Sequence, residues 1–361
     1  MTGYGQSERL SLDLRELYRQ YGYRQYKVGK FEEYDLYAQH RSFLTGEHIL
    51  TFSDTNGRLM ALKPDVTLSI IKNTRDDDRA RKLWYTENVY RVPRNAYGFQ
   101  EILQTGLECI GSVDLYTMTE VVMLAARSLQ MISEEYVLDL SHIGILTGVL
   151  EDVPAPLAAG IIAAVGDKNQ HTLRALCREA GVGEETSVLL DALCVLGGPI
   201  DETLPKLMAL PLPEKSKSAG QELTAVCELL NSFGAYRINL DLSVTNDTEY
   251  YNGLIFRGFV DGVAAPVLSG GRYDNLLHRL GKTGSAIGFA VYLSELERFL
   301  SSGGDADFDV LVMYDDSVNP AEVAKKAKSL VDEGLTVRVQ PRGEPAVTCR
   351  RLVELSGKGA R

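Results

Sequence analysis

Long apolar runs are missing from this chain, and no stretch approaches the roughly 18 residues needed to cross a bilayer. A membrane-spanning role is therefore not expected. Cysteine is scarce: five in 361 residues, at Cys109, Cys177, Cys194, Cys227 and Cys349, odd in number and never in CxxC spacing. That excludes a disulfide framework and a structural zinc site, and predicts buried reduced thiols. The five histidines are equally dispersed and no HExxH occurs, so no metal site is expected. Positive charge is also in deficit, with 38 Lys and Arg against 49 Asp and Glu and a net charge of −11. A broad, sequence-independent nucleic-acid surface would need the reverse. Neither GxGxxG nor GxxxxGK[ST] is present, so dinucleotide-binding and P-loop functions fall away. GxSxG is absent too, and no nucleophile–base pair can be picked out, so no catalytic residue is assigned.

What remains is an ordinary globular composition, 45% apolar and 24% charged, in a chain long enough for two or three structural units. Leu10, Leu12, Leu14 and Leu17 fall near helical spacing and predict an opening helix. HILTFSDTNGRLMAL (48–62) reads as a hairpin turned at Asn56–Gly57, and Lys63-Pro64-Asp65 opens a helix. KLWYTENVYRV (82–92) and FQEILQTGLECIG (99–111) read as strands, followed by a helix over 114–132 and a strand at YVLDLSH. From 143 to 233 Ala- and Leu-rich helical patterns predict a helical insertion, which separates 1–142 from 234–302. Strands resume at RINLDLS and TEYYNGLIFRGFV, with a turn at Asp261–Gly262. After a linker near SSGGDAD, residues 309–340 form one βαβ unit within a reduced α/β segment, 303–361.

Alternation along FQEILQTGLECIG puts Gln104, Gly106 and Glu108 on one face. Gln104 and Glu108 are then roughly 13 Å apart at ~3.3 Å per residue, with a gap over Gly106. An amide and a carboxylate flanking a gap suit a small polar ligand, and a solvent-exposed strand face is the competing reading. Tyr250 and Tyr251 in TEYYNG point to opposite faces. In LSGGRYDNLLHRL the glycine pair Gly270–Gly271 lets backbone approach a ligand, and equally suits a bulge or tight turn.

Taken in order, TFSDTNGRLMALKPDVT, KLWYTENVYRV, QTGLECIG, TEYYNGLIF and SGGRYDNLL with AIGFA resemble histidyl-tRNA synthetase, a class II synthetase, over roughly residues 5–300. The resemblance implies an α+β fold: a class II aminoacyl-tRNA synthetase-like antiparallel sheet flanked by helices, carrying the helical insertion and the short C-terminal βαβ unit. It also implies a histidine pocket. The family's acidic residue and threonine fall on Asp65 and Thr67, its glutamine and glutamate on Gln104 and Glu108, and its paired tyrosines on Tyr250 and Tyr251. Asp65, Thr67 and Gln104 would hold the ligand's ammonium, while Glu108 and a tyrosine would bond the imidazole. Gly270, Gly271 and Arg272 would border the pocket, and the second motif's arginine is retained as Arg91.

The ATP-handling half departs from the pattern. Asn246 stands where the family has arginine, Pro93 where it has an acidic residue, and Glu295 where an arginine grips phosphate, with Arg298 three residues on. Adenylation relies on positioned positive charge, so an ATP-activating ligase is not expected. A chain that keeps the histidine pocket and loses the ATP apparatus resembles the regulatory subunits of ATP phosphoribosyltransferase, a non-catalytic synthetase-like family. That resemblance implies no cofactor, a cytoplasmic setting and a hetero-oligomer, an octamer in that family, with a short catalytic subunit. It further implies L-histidine as effector, self-association as a dimer, and no tRNA partner. The competing readings are a histidine–tRNA ligase with degenerate motifs and another synthetase-like histidine-binding regulator. On the histidine-binding reading, Arg91, the Arg272 side chain or backbone N–H groups would replace the arginine missing at Asn246.

Overall fold

The computed structural model describes residues 6–39, 49–75, 79–92, 98–245, 250–301, 306–343 and 347–356. They form two compact units, one spanning Leu10–Leu296 and one containing the chain from Glu297 onward.

The first unit begins at Leu10 within helix α1 (Gln6–Gln20), which buries Leu10, Leu14, Leu17 and Tyr18. That is an i, i+4, i+7, i+8 stripe, the face a 3.6-residue period presents to a core. Leu12, counted above with the apolar set, is 44% exposed because it lies across the helix from that stripe. Strand β1 (Arg24–Gln25), strand β2 (Phe31–Glu33) and helix α2 (Tyr34–Ala38) follow. β3 (Thr51–Ser53) and β4 (Leu59–Leu62) form the expected hairpin, with Phe52 opposite Met60. Gly57 at its turn takes φ +77, a conformation in which a Cβ is strained. These strands make a small sheet in the order β2-β4-β3.

Helix α3 (Thr67–Asn73) starts two residues later than the Lys63-Pro64-Asp65 signal predicts. Asp65 stands before the helix and accepts the Leu68 N–H at 2.7 Å, satisfying one of its free donors. Strands β5 (Arg81–Arg91) and β6 (Gln100–Gly111) pair antiparallel over their whole length. α4 (Leu115–Ile132) is capped by Asp114, whose carboxylate accepts the Thr117 N–H at 2.8 Å. Then come β7 (Tyr136–His142) and a helical stretch: α5 (Ile143–Val149), α6 (Ala155–Gly166), α7 (Gln170–Glu179), α8 (Glu184–Val195), α9 (Ile200–Met208) and α10 (Glu214–Leu230). One short strand, β8 (Gly197–Pro199), interrupts the helices. The unit closes with β9 (Ile238–Asp241), β10 (Leu254–Val260), β11 (Leu268–Arg272), α11 (Asp274–Arg279), β12 (Ser285–Tyr292) and the start of α12 (Leu293–Ser301).

The large sheet has the order β1-β5-β6-β12-β11-β10-β7-β9-β8. Its centre is antiparallel as expected, while β1–β5 and β7–β9 pair in parallel. In the second unit β13 (Phe308–Tyr314), α13 (Pro320–Asp332) and β14 (Val337–Pro341) are the predicted βαβ unit. A third strand that the reading missed, β15 (Cys349–Leu355), pairs in parallel on the other side of β13. Val310, Val312 and Leu330 form its core, with Val337, Val353 and Leu355 packed against them. Among the described residues no helix is long and apolar enough to cross a membrane. The five cysteines are free thiols, four buried and Cys349 half-buried.

Candidate functional site

Register decides what faces the pocket. Across the sheet, Leu83, Glu108, Gly288, Gly271 and Ile255 lie in one row, and Tyr85, Gly106, Ala290, Ser269 and Arg257 in the next. Gln104 lies in the row beyond, between Glu87 and Tyr292. Glycine, alanine and serine dominate the middle of this face, so the larger side chains at its borders can lean inward. The need is steric at Gly288, where a Cβ would stand 1.8 Å from a Glu108 carboxylate oxygen.

Glu108 is the centre of the site. It is 2% exposed and Gln104 is 4% exposed, which removes the reading of a solvent-exposed strand face. Thr67 donates its hydroxyl to Glu108 Oε1 at 2.7 Å. Tyr273 donates its hydroxyl to the other carboxylate oxygen. Sequence reasoning did not single out Tyr273 as a site residue, although its signal was present in the Arg-Tyr-Asp step after the glycine pair. Burial pushes Glu108 up from the ordinary 4.5 to about 8, the two hydroxyl bonds oppose this, and the nearby charge of Asp65 adds to it. Asp65 is itself raised, by burial first, while its bond from Leu68 and the positive charge of Arg91 pull the other way. Buried Glu108 and half-buried Asp65 thus act on each other beside one apolar enclosure, which includes Val66, Leu68, Ile70, Tyr85 and Tyr273.

The remaining sequence candidates divide. Thr67 pairs with Glu108, which it was expected to face from the opposite, ammonium end of the pocket. Tyr250 and Tyr251 precede β10 and belong to no strand, so the strand-alternation argument does not apply to them. Their ring centroids are 4.7 Å apart and both rings pack against the enclosure, Tyr250 also lying 5.7 Å from Tyr273. Gly271 sits under Tyr251, two of whose ring carbons come within 2.9 Å of where its Cβ would be. Gly270 faces the opposite side, against Phe256 and Phe289, and is core.

Arg272 follows the same alternation and leaves the pocket. Its Nε donates to Asp274 at 2.8 Å, its Nη1 lies 3.6 Å from Glu222 of α10, and it also reaches Met118 of α4. Glu222 in turn pairs with His142 at 3.0 Å. Arg272 is therefore tied to the helices behind the sheet. Arg91 stays close to the site, its guanidinium 6.0 Å from the Tyr292 ring centroid and its charge acting on Asp65. The gap expected over Gly106 is filled. Tyr85, the cross-strand partner of Gly106, lays its phenol there and is itself 1% exposed.

Glu295 is exposed in the first turn of α12, where an acid complements the helix dipole. Asn246 and Pro93 lie outside the described residues, as does the side chain of Arg298. Among the described residues no group of three or more His, Cys, Asp or Glu is placed to hold a metal ion.

A family model described as histidyl-tRNA synthetase matches residues 4–296. The ATP phosphoribosyltransferase regulatory subunit of Clostridium kluyveri is 30% identical over 340 residues, covering 90% of this chain and 87% of that protein. A crystal structure of an ATP phosphoribosyltransferase regulatory subunit/histidyl-tRNA synthetase from Bacillus halodurans superposes with a TM-score of 0.78 at 23% identity, over 98% of this chain and 94% of the other. One chain of an ATP phosphoribosyl transferase complex from Thermotoga maritima superposes at 0.61 and 19% identity, over 81% and 98%.

Proposed function

This chain belongs to the histidyl-tRNA synthetase family and, within it, to the regulatory subunits of ATP phosphoribosyltransferase, and on that premise we propose that it is a non-catalytic sensor of free L-histidine. The observation that carries the reading is buried Glu108 with a second acid, half-buried Asp65, acting on it. Glu108 is held by hydroxyls alone among the groups that bond it here, and the charge acting on it is another acid. Burying a carboxylate without a cation is costly, and a second acid nearby makes it worse. Such an arrangement is understandable where a ligand brings the missing positive charge and N–H donors. L-Histidine brings both, an ammonium for Asp65 and an imidazole N–H for Glu108, and Gln104 supplies a further polar group on the ammonium side. A carboxylate beside an imidazole N–H makes a charge-assisted bond that an apolar ring cannot replace.

Arg91 is the cation proposed to meet the ligand's carboxylate, because its charge acts on Asp65 at the site while Arg272 points behind the sheet. Tyr250 and Tyr251 wall the pocket over Gly271. The partner is proposed to be a short catalytic subunit of ATP phosphoribosyltransferase, to which this chain would confer activity and histidine feedback in the first step of histidine biosynthesis. The Thermotoga maritima relative, by its description part of such a complex, supports a partner of that kind.

Calorimetry with L-histidine on the purified chain, then on its complex with a short catalytic subunit, tests both parts. Saturable binding and a histidine-sensitive complex are the expected results. Histidine-dependent pyrophosphate exchange by the chain alone would instead mark a ligase and overturn the proposal.

A further inference from the structure

Tyr85 lies outside the set of residues assigned above to the ligand, yet it occupies the middle of the pocket floor. It stands directly across from Gly106 in the β5–β6 register, between the rows that carry Gln104 and Glu108. A Cβ at Gly106 would come within 2.7 Å of the Tyr85 hydroxyl oxygen and 2.8 Å of the ring carbon that bears it. The tip of the phenol therefore stands over the glycine and takes the space any ordinary residue at 106 would fill. Its backbone carbonyl accepts the Thr105 hydroxyl at 2.9 Å, which fixes the strand beneath it. Burial first, then the charges of Glu108 and Asp65, push its hydroxyl well above the ordinary phenol range, so the ring is in electrostatic reach of both acids.

Ala290 and Ser269 continue the same row beyond Gly106. Without the phenol, the floor from Gly106 to Ser269 is a trough of small residues. We infer that Tyr85 is the specificity-determining residue that sets the depth of the pocket, a steric stop that admits an unsubstituted imidazole ring and turns away larger rings. The inference rests on the histidine reading. Selectivity of this kind works by removing room from the competitor as much as by contacting the correct ligand. An apolar wall that rejects one extra methyl group discriminates by about tenfold or more.

The test uses the full chain and calorimetry with three probes: L-histidine, L-histidine methylated on a ring carbon (which keeps both ring nitrogens) and L-tryptophan. Tyr85→Phe keeps the ring and should keep the unaltered protein's preference for histidine. Tyr85→Leu and Tyr85→Met are shorter and should lower the preference for histidine over the methylated ligand by about tenfold. Two shortened variants are used so that poor folding of one leaves the other, with cooperative melting by circular dichroism as the check. A shortened, folded variant that discriminates as sharply as the unaltered protein overturns the inference while the histidine reading stands. Failure of the unaltered protein to bind L-histidine at all overturns both.

Discussion

Replacing Glu108 by glutamine keeps the shape of the site and removes the charge, and its effect should depend on pH in a way that no packing defect imitates. Burial raises Glu108 to about 8. At pH 7 roughly a tenth of the molecules then carry the ionised form, and ionising the rest costs about 1.4 kcal/mol. A hydrogen bond to a charged acceptor contributes about 1.5–3 kcal/mol. At pH 7 these partly cancel, so the unaltered protein should bind histidine only a few-fold more tightly than Glu108→Gln. At pH 9 the ionisation cost is gone and the full difference, roughly tenfold to a hundredfold, should appear. The ligand's own titrations occur in both proteins and divide out of the ratio. Calorimetry at pH 7, 8 and 9 reads it directly. A ratio that stays flat from pH 7 to 9 would refute the reasoning, because Glu108 would not then be the ionising acceptor. The same group also acts on stability. Its folded value lies above its unfolded one, so between about 4.5 and 8 the folded state holds a proton that the unfolded state has released. Stability in the absence of ligand must fall as pH rises through that window, by at most on the order of 5 kcal/mol, and the slope should shrink in Glu108→Gln.

Other changes test the scaffold. Gly106→Ala would put a Cβ 2.3 Å from the Phe289 carbonyl and 2.7 Å from the Tyr85 hydroxyl, so a loss of about 1–3 kcal/mol in urea unfolding is expected. Lys63 is 1% exposed and pairs with Glu87 at 2.5 Å. Lys63→Met leaves that part-exposed carboxylate without its cation and should cost about 1–3 kcal/mol in the same assay, against little change if the pair is idle. Asp114→Ala removes the cap of α4 and should cost about 1 kcal/mol, with histidine affinity unaltered.

The parts of this structure that could be read from sequence are those set by neighbours along the chain. The turn at Gly57 needs only a local backbone conformation, and the shared face of Gln104 and Glu108 needs only the two-residue period of a strand. Tyr85 escaped because it enters the site from the adjacent strand. Alternation within FQEILQTGLECIG reveals an empty position at Gly106 but not which cross-strand side chain fills it. Tyr250 and Tyr251 were assigned opposite faces on the premise of a strand, and β10 starts only at Leu254. β15 escaped for another reason: Arg350, Arg351 and Glu354 break its apolar alternation, and Leu352 is 47% exposed. Gly270 and Arg272 share a motif with Gly271, and the same two-residue period, applied to that motif, separates them from it.

Arg272 and Tyr273 show how the two sides of the sheet meet in consecutive residues. Tyr273 bonds Glu108 on the pocket face. Arg272 reaches Glu222 of α10 on the other, and Glu222 is held in turn by His142 at the start of α5. Asp274 fixes this step in place: it accepts from Arg272 and from the Ala286 N–H, and exchanges hydrogen bonds with Asn252, next to Tyr251. A ligand can shift a conformational equilibrium only by the difference in its affinity for the two states. On the proposed reading, that difference has a physical source in the acids. Raised to about 8, Glu108 is mostly protonated at neutral pH, and a cationic ligand would restore its charge. What passes beyond the pocket is then bounded by the free energy of that one ionisation and the bonds it strengthens. At about 1.4–3 kcal/mol, this lies within the usual range of coupling between sites.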